Sequence, residues 1–223
     1  MKISKLKVKT LLNNYSIYIG SNLSVKLNVI LKSEKINFNK ILIIYDSKIN
    51  KKELLKIKKN FKKKEIYTYR FITSEKAKNI STVNKIINIL LKYKFARDDC
   101  VVSMGGGIVG DLSGFVASIF KRGIKFINIP TTLLAQVDAS IGGKTGVNHK
   151  IFGKNLIGSF YQPNIVITNI DFLKSLNKKE LTCGYAEILK HSLIYSIKNF
   201  RFLEQNYKKI LSLNNKVLKK TIL

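Results

Sequence analysis

The residues best suited to chemistry cluster between Cys100 and Pro163, CVVSMGGGIVGDLSGFVASIFKRGIKFINIPTTLLAQVDASIGGKTGVNHKIFGKNLIGSFYQP. Gly105-x-Gly107-x-x-Gly110 follows the short apolar run CVVSM and opens a stretch with helical spacing. Glycines in that setting let the backbone approach a pyrophosphate, which the free N–H groups of the next helix then bind. Asp111, just beyond, has the bland alternative of a helix-start acid. The ribose-binding acid expected about 20 residues after such a turn is absent. Asp46, which closes the apolar run ILIIYD, is the candidate for that role, with a turn or cap role as its alternative.

A second set follows Pro130. Thr131 and Thr132 come first; Asp138, Lys144, Asn148, His149, Lys154 and Asn155 are then interleaved with Gly142, Gly143, Gly146 and Gly153. Each alone is an ordinary turn residue. Their density predicts a loop wrapping an anionic ligand. Gly142-Gly143-Lys144-Thr145 resembles the tail of a phosphate-binding P-loop, but the glycine spacing before Lys144 is wrong, which excludes that ATPase motif. In GYAEILKH, Glu187 and His191 are four residues apart and face one metal if the segment is helical. Lys190 offers the alternative of a solvated Glu–Lys face.

The elements that position these residues are read from periodicity. Residues 2–9 and 15–20 alternate like strands joined by a turn around Asn13-Asn14, and 21–33 has helical spacing behind Ser21 as N-cap. Strands are expected at 41–46, 65–71, 100–104, 125–130 and 164–170, and helices at 50–63, 80–95 and 108–120. Continuous apolar runs such as ILIIYD mark buried parallel strands. The alternation predicts an α/β fold, a parallel Rossmann-like sheet with crossover helices. From 171 onward the pattern is helical only, at 177–198 and 199–222. The expected organisation is an α/β domain over 1–172 and part of a helical domain over 173–223. The apolar positions Leu189, Leu193 and Ile197 are expected to be exposed on that helical part.

Composition narrows the classes. The chain has 223 residues, 45% of them hydrophobic, enough for a sizeable core. No apolar run reaches the length of a membrane span, and MKISKLKVKT lacks a signal-peptide core, so a cytoplasmic protein without membrane partners is expected. Cys100 and Cys183 match no metal spacing, and Cys100 reads as core. The net charge of +28 suggests nucleic acid, but the lysines are dispersed and the arginines are only Arg70, Arg97, Arg122 and Arg201. No nucleic-acid partner is expected. Excess Lys, Ile and Asn together fit drift toward AT-rich codons.

Taken in order, GGGIVGDLSGFVAS, FKRGIKFINIPTTLLAQVDASIGGKTGVNH, GKNLIGSFYQP and GYAEILKH resemble the 3-dehydroquinate synthase family, with ITSEKAKNISTVNKI and NNYSIYIG matching its earlier segments. The resemblance spans essentially the whole chain. It implies conversion of 3-deoxy-D-arabino-heptulosonate 7-phosphate to 3-dehydroquinate and phosphate in the shikimate pathway, with NAD and a divalent metal, zinc or cobalt, as cofactors. By the same resemblance, Asp46, Glu75 and Lys78 match adenosine-side NAD contacts. Gly106, Gly107 and Asp111 match the pyrophosphate turn and its ribose contact, and Thr131 and Thr132 further NAD contacts. Asp138, Lys144, Lys154, Asn155 and Lys190 match substrate positions, Lys144 and Lys154 being shared with the cofactor. Arg122 matches a residue that reaches the substrate phosphate of a neighbouring subunit, which implies a homodimer. Glu187 matches the carboxylate metal ligand.

Two departures stand out. The segment between His149 and Gly153 is one residue longer than the family pattern. The family also continues into a longer helical domain that supplies histidine metal ligands, and neither His149 nor His191 matches those positions. The expectation is a cofactor-binding half, inactive alone, completed by a separately encoded half or left by a decayed gene. The alternatives are another sugar-phosphate cyclase or a non-catalytic NAD-binding fragment.

Overall fold

A computed structural model describes residues 3–10 and 13–223. Its centre is a sheet built from β1 (Ser4–Val8), β2 (Tyr15–Gly20), β3 (Lys40–Asp46), β4 (Glu65–Phe71), β5 (Cys100–Gly105), β6 (Lys125–Pro130) and β9 (Ile165–Asn169). The order is β1-β2-β9-β6-β5-β3-β4. Within this sheet, among the described residues, the β1–β2 pair is antiparallel and the other pairs are parallel. The α/β reading holds. The expected first strand begins at Lys2, and the approach to the Asn13-Asn14 turn crosses residues 11–12; both lie outside the described residues.

The parallel strands are apolar throughout because both faces are covered. Ile41 and Ile43 point into one core with Leu23, Leu27 and Leu31 of α1 (Leu23–Ser33) and Ile57 of α2 (Lys51–Lys59). Leu42 and Ile44 point into the other, with Val83, Ile86 and Leu90 of α3 (Ile80–Lys92) and Leu112 and Val116 of α4 (Gly107–Ile119). Each such side chain contributes about 1.5–3 kcal/mol on burial. Cys100 is fully buried in the first core, as expected.

Ser21 does not cap α1. The N-cap is Asn22, at φ 58, without a side-chain cap bond. Its backbone N–H instead donates to Asp171 Oδ2 at 2.7 Å, so the tight exit from β2 is held from across the fold. From Lys178 on, the chain is helical. The single stretch expected over 199–222 is two helices, α6 (Ile197–Leu211) and α7 (Asn215–Ile222), after α5 (Lys178–Tyr195). The break is a turn at Leu213, φ 61, where the Asn214 side chain caps Val217 N–H. Leu181, Ile188, Leu203, Ile210 and Leu218 of these helices pack with Leu133, Ile170 and Leu173. Leu193 and Ile197 are exposed, as expected, whereas Leu189 packs against this third core.

Candidate functional site

The glycine turn forms as the spacing requires. β5 ends at Gly105, and α4 starts at Gly107 with Gly106 as its N-cap. Gly106 has no side chain to cap the helix, which leaves the positive end of α4 available to an anion. Thr132 stands opposite: a Cβ on Gly106 would lie 3.0 Å from Thr132 Cγ2. Thr131 ties the two edges together, its N–H donating to Gly105 O at 2.9 Å. Asp46 ends β3, the neighbour of β5, so it stands at the same carboxyl edge of the sheet. One of its oxygens accepts Lys48 N–H at 2.9 Å. The turn role and the edge position therefore coexist.

The 138–155 segment is not a loop. After a π-helical turn (Ala135–Ala139), it folds as an antiparallel hairpin of β7 (Lys144–His149) and β8 (Gly153–Phe160). Two glycines of the hairpin serve close strand packing: a Cβ on Gly146 would sit 2.7 Å from Ile157 O, and one on Gly158 2.1 Å from Thr145 O. His149 caps the hairpin end, its Nδ1 accepting the N–H groups of Ile151 and Phe152 at 3.2 Å each.

This hairpin separates the expected substrate residues. A cleft of about 680 Å³ collects Asp111, Asp138, Lys144 and Asn155. Lys154 lies with Glu75 in a different cleft, 3.8 Å from its carboxylate, because successive residues of a strand face opposite sides. Lys78 is not a free contact for a ligand. It is buried, and its Nζ donates at 2.5 Å to both Asp111 Oδ2 and Asn155 Oδ1. Burial raises the Asp111 carboxyl above the usual range, and the Lys78 ion pair only partly offsets it.

Asn148, one of the polar residues of the glycine-rich stretch, is a hub. Its Nδ2 donates to Glu75 O and Oε2 at 2.9 Å each, its Oδ1 accepts Asn155 N–H at 3.0 Å, and its own N–H donates to Lys78 O at 2.8 Å. The only signal of this in the sequence is its place in the motif GVNH.

Asp138 also faces α5. Donor atoms of Asp138, Glu187 and His191 lie within 4.8 Å of one another. His191 Nε2 is 3.1 Å from Glu187 Oε1, and the Lys190 ammonium presses on the same oxygen. Lys190 holds the Glu187 carboxyl below its usual range, and Glu187 raises the Lys190 ammonium. Helix α5 approaches this closely through Gly184, where a Cβ would meet Leu133 Cβ at 2.6 Å. Arg122 is not part of this constellation. It is exposed just past the far end of α4, about 20 Å from the glycine turn at 1.5 Å per residue.

Residues 68–183 match the family model described as 3-dehydroquinate synthase N-terminal. The chain is 54% identical over 222 residues to the 3-dehydroquinate synthase of Pelagibacter ubique (strain HTCC1062), a match covering 100% of this chain and 60% of that protein. It thus spans about 60% of that relative's length. The structure superposes on a 2-epi-5-epi-valiolone synthase from Streptomyces hygroscopicus subsp. jinggangensis 5008 with NAD+ and Zn2+ bound, at 25% identity and TM-score 0.81, covering 100% of this chain and 62% of that one. A 2-deoxy-scyllo-inosose synthase complexed with carbaglucose-6-phosphate, NAD+ and Co2+ shares the fold at 23% identity and TM-score 0.79, over 97% of this chain and 62% of that one. Among the described residues no helix is long and apolar enough to cross a membrane.

Proposed function

Because the chain belongs to the 3-dehydroquinate synthase family, we propose that it carries the NAD-binding part of a lyase converting 3-deoxy-D-arabino-heptulosonate 7-phosphate to 3-dehydroquinate and phosphate. The observation that supports this most is the uncapped start of α4, which faces Thr132 across a gap that only glycine leaves open. Gly106 and Gly107 would hold the pyrophosphate there, with Thr131 and Thr132 along the facing wall and Asp46 at the adjacent strand edge for ribose hydroxyls.

NAD, when bound, supplies reversible oxidation of a ring hydroxyl, which acidifies the neighbouring C–H. A divalent metal, which Glu187 would hold as its carboxylate ligand, would supply polarisation of that hydroxyl. The chain's own residues bind and orient. Lys144, exposed beside Asp138, offers a cation to the substrate's carboxylate or phosphate. Lys78 works through others: by fixing Asp111 and Asn155 it sets the floor of the cleft. Lys154 and Glu75 border the far side of the hairpin and would reach the ligand only at its adenosine end. The distance of Arg122 from the glycine turn favours its service to a second subunit, hence a homodimer.

The reading favours this substrate over those of other cyclases because identity is 54% to a 3-dehydroquinate synthase against 25% to the valiolone synthase. Calorimetric titration of NAD into the full chain tests the cofactor assignment, with saturable one-site binding expected. An absence of binding sinks it. Phosphate release from the heptulosonate phosphate, compared with release from other heptulose phosphates and measured with a helical half of the family supplied alongside the chain, tests the substrate.

A further inference from the structure

We infer that Gln136 is a positioning residue: from a notch at the carboxyl edge of the sheet it holds the turn that carries Thr132 on one side and Asp138 on the other. The inference rests on the cofactor reading above and deepens it, adding a residue that acts on the ligand only through its neighbours.

Among the described residues, β6 and β9 pair at Ile127–Ile165 and Asn128–Val166. Each strand runs further in register with its other neighbour, β6 with β5 as far as Pro130 and β9 with β2 as far as Asn169. The β6–β9 ladder therefore ends short of the carboxyl edge, and Gln136 occupies the notch. It is 2% exposed, and its Nε2 donates to Pro130 O at 3.2 Å and to Asn169 O at 3.1 Å. Both partners are acceptors, which fixes the orientation of the amide. The helical turn starts at Thr132, whose Oγ1 accepts Ala135 N–H at 3.2 Å and whose carbonyl accepts Gln136 N–H at 3.0 Å. A long side chain one turn into a helix leans back toward the N-terminus, here onto the strand ends.

Both ligand walls follow from that anchor. Pro130 directly precedes Thr131, whose N–H is bound to Gly105 O, and Thr132, which faces Gly106 across the pyrophosphate gap. Two residues beyond Gln136, Asp138 lines the substrate cleft. One amide thus ties the cofactor wall and the substrate wall to the ends of two strands.

The competing reading is a filler of the core. Gln136 Oε1 is buried with no hydrogen-bond partner among the described residues, a cost that an apolar side chain of the same length avoids. Methionine would fill the notch and leave two strand-end carbonyls unpaired. The two donors, not the volume, set glutamine apart.

Calorimetric titration of NAD into the full chain, with amide hydrogen exchange of the same proteins, tests the role. Gln136→Met should lower NAD affinity at least about fivefold, the scale of one unpaired buried carbonyl, and speed exchange at Thr131 and Ala135. Asn60→Ala is the control. It removes amide bonds to Ser24 O and Lys56 O at the amino edge of the sheet, and should lower the melting temperature while affinity and both amides stay as in the parent. Gln136→Glu keeps one donor when its buried carboxyl is protonated. It should fall between the parent and Gln136→Met, and it carries the test if the methionine variant does not fold. The inference is overturned if Gln136→Met, or Gln136→Glu in its place, binds NAD like the parent, or if Asn60→Ala loses as much affinity. If the parent itself binds no NAD, the cofactor assignment falls and exchange decides alone: faster exchange at Thr131 and Ala135 in Gln136→Met supports the anchor, and parent-like exchange overturns it.

Discussion

Lys78 and Asp111 form an ion pair in which the lysine is almost entirely enclosed, 4% of its side chain exposed, and the aspartate is not, at 24%. That asymmetry decides which partner matters more. Asp111→Ala strands an enclosed ammonium and should cost about 3 kcal/mol, whereas Lys78→Met leaves a carboxylate that water still reaches and should cost about 1–2 kcal/mol. The double variant should cost less than the sum. Urea unfolding of the three proteins checks the order.

A side chain on Gly106 should close the gap to Thr132. Its Cβ alone would stand 3.0 Å from Thr132 Cγ2. Gly106→Val should therefore lower NAD affinity at least tenfold, about 1.4 kcal/mol, while far-UV dichroism stays unchanged. Calorimetry reads the affinity.

Gly184 sits inside α5, where alanine would ordinarily gain about 1 kcal/mol of helix propensity. Here its Cβ would meet Leu133 at 2.6 Å and the backbone nitrogen of Leu134 at 2.7 Å. Overpacking against backbone costs about 1–3 kcal/mol, and the clash should win. Gly184→Ala is expected to melt below the parent and to loosen α5 from the 133–139 turn, seen as faster amide exchange there.

Glu34 carries an acid-dependent part of stability. Burial pushes its carboxyl up, but Lys5, Tyr18 and Ser16 together pull it below its usual value. A carboxylate whose folded value is depressed adds stability above its unfolded value, about 4.3, and loses it as pH falls through the folded value. Glu34→Gln should thus be less stable than the parent near about pH 7, and the gap should narrow below about pH 4. Urea titrations across that range measure it.

Much of this was legible beforehand. Strands β3, β5 and β6 announce themselves as apolar runs, and Gly105 to Gly110 as a turn between strand and helix, because both signals are local. The hairpin of β7 and β8 was not legible. Its glycines have two explanations, ligand approach or close strand packing, and only the partner strand chooses between them. Lys78 matches a cofactor contact by resemblance, but nothing near it in the sequence marks its burial, which depends on Asp111 and Asn155, distant along the chain. Asp138 and His191 are joined in the same non-local way, through the contact of Gly184 with Leu133.

Asn155 shows how few solutions such a position has. Its φ of 58 is left-handed backbone, which costs Gly, Asn and Asp least. Glycine would remove the oxygen that receives Lys78. Aspartate would set a second carboxylate on a lysine already shared with Asp111. Backbone shape and charge balance each discard different candidates, and asparagine is what survives both filters.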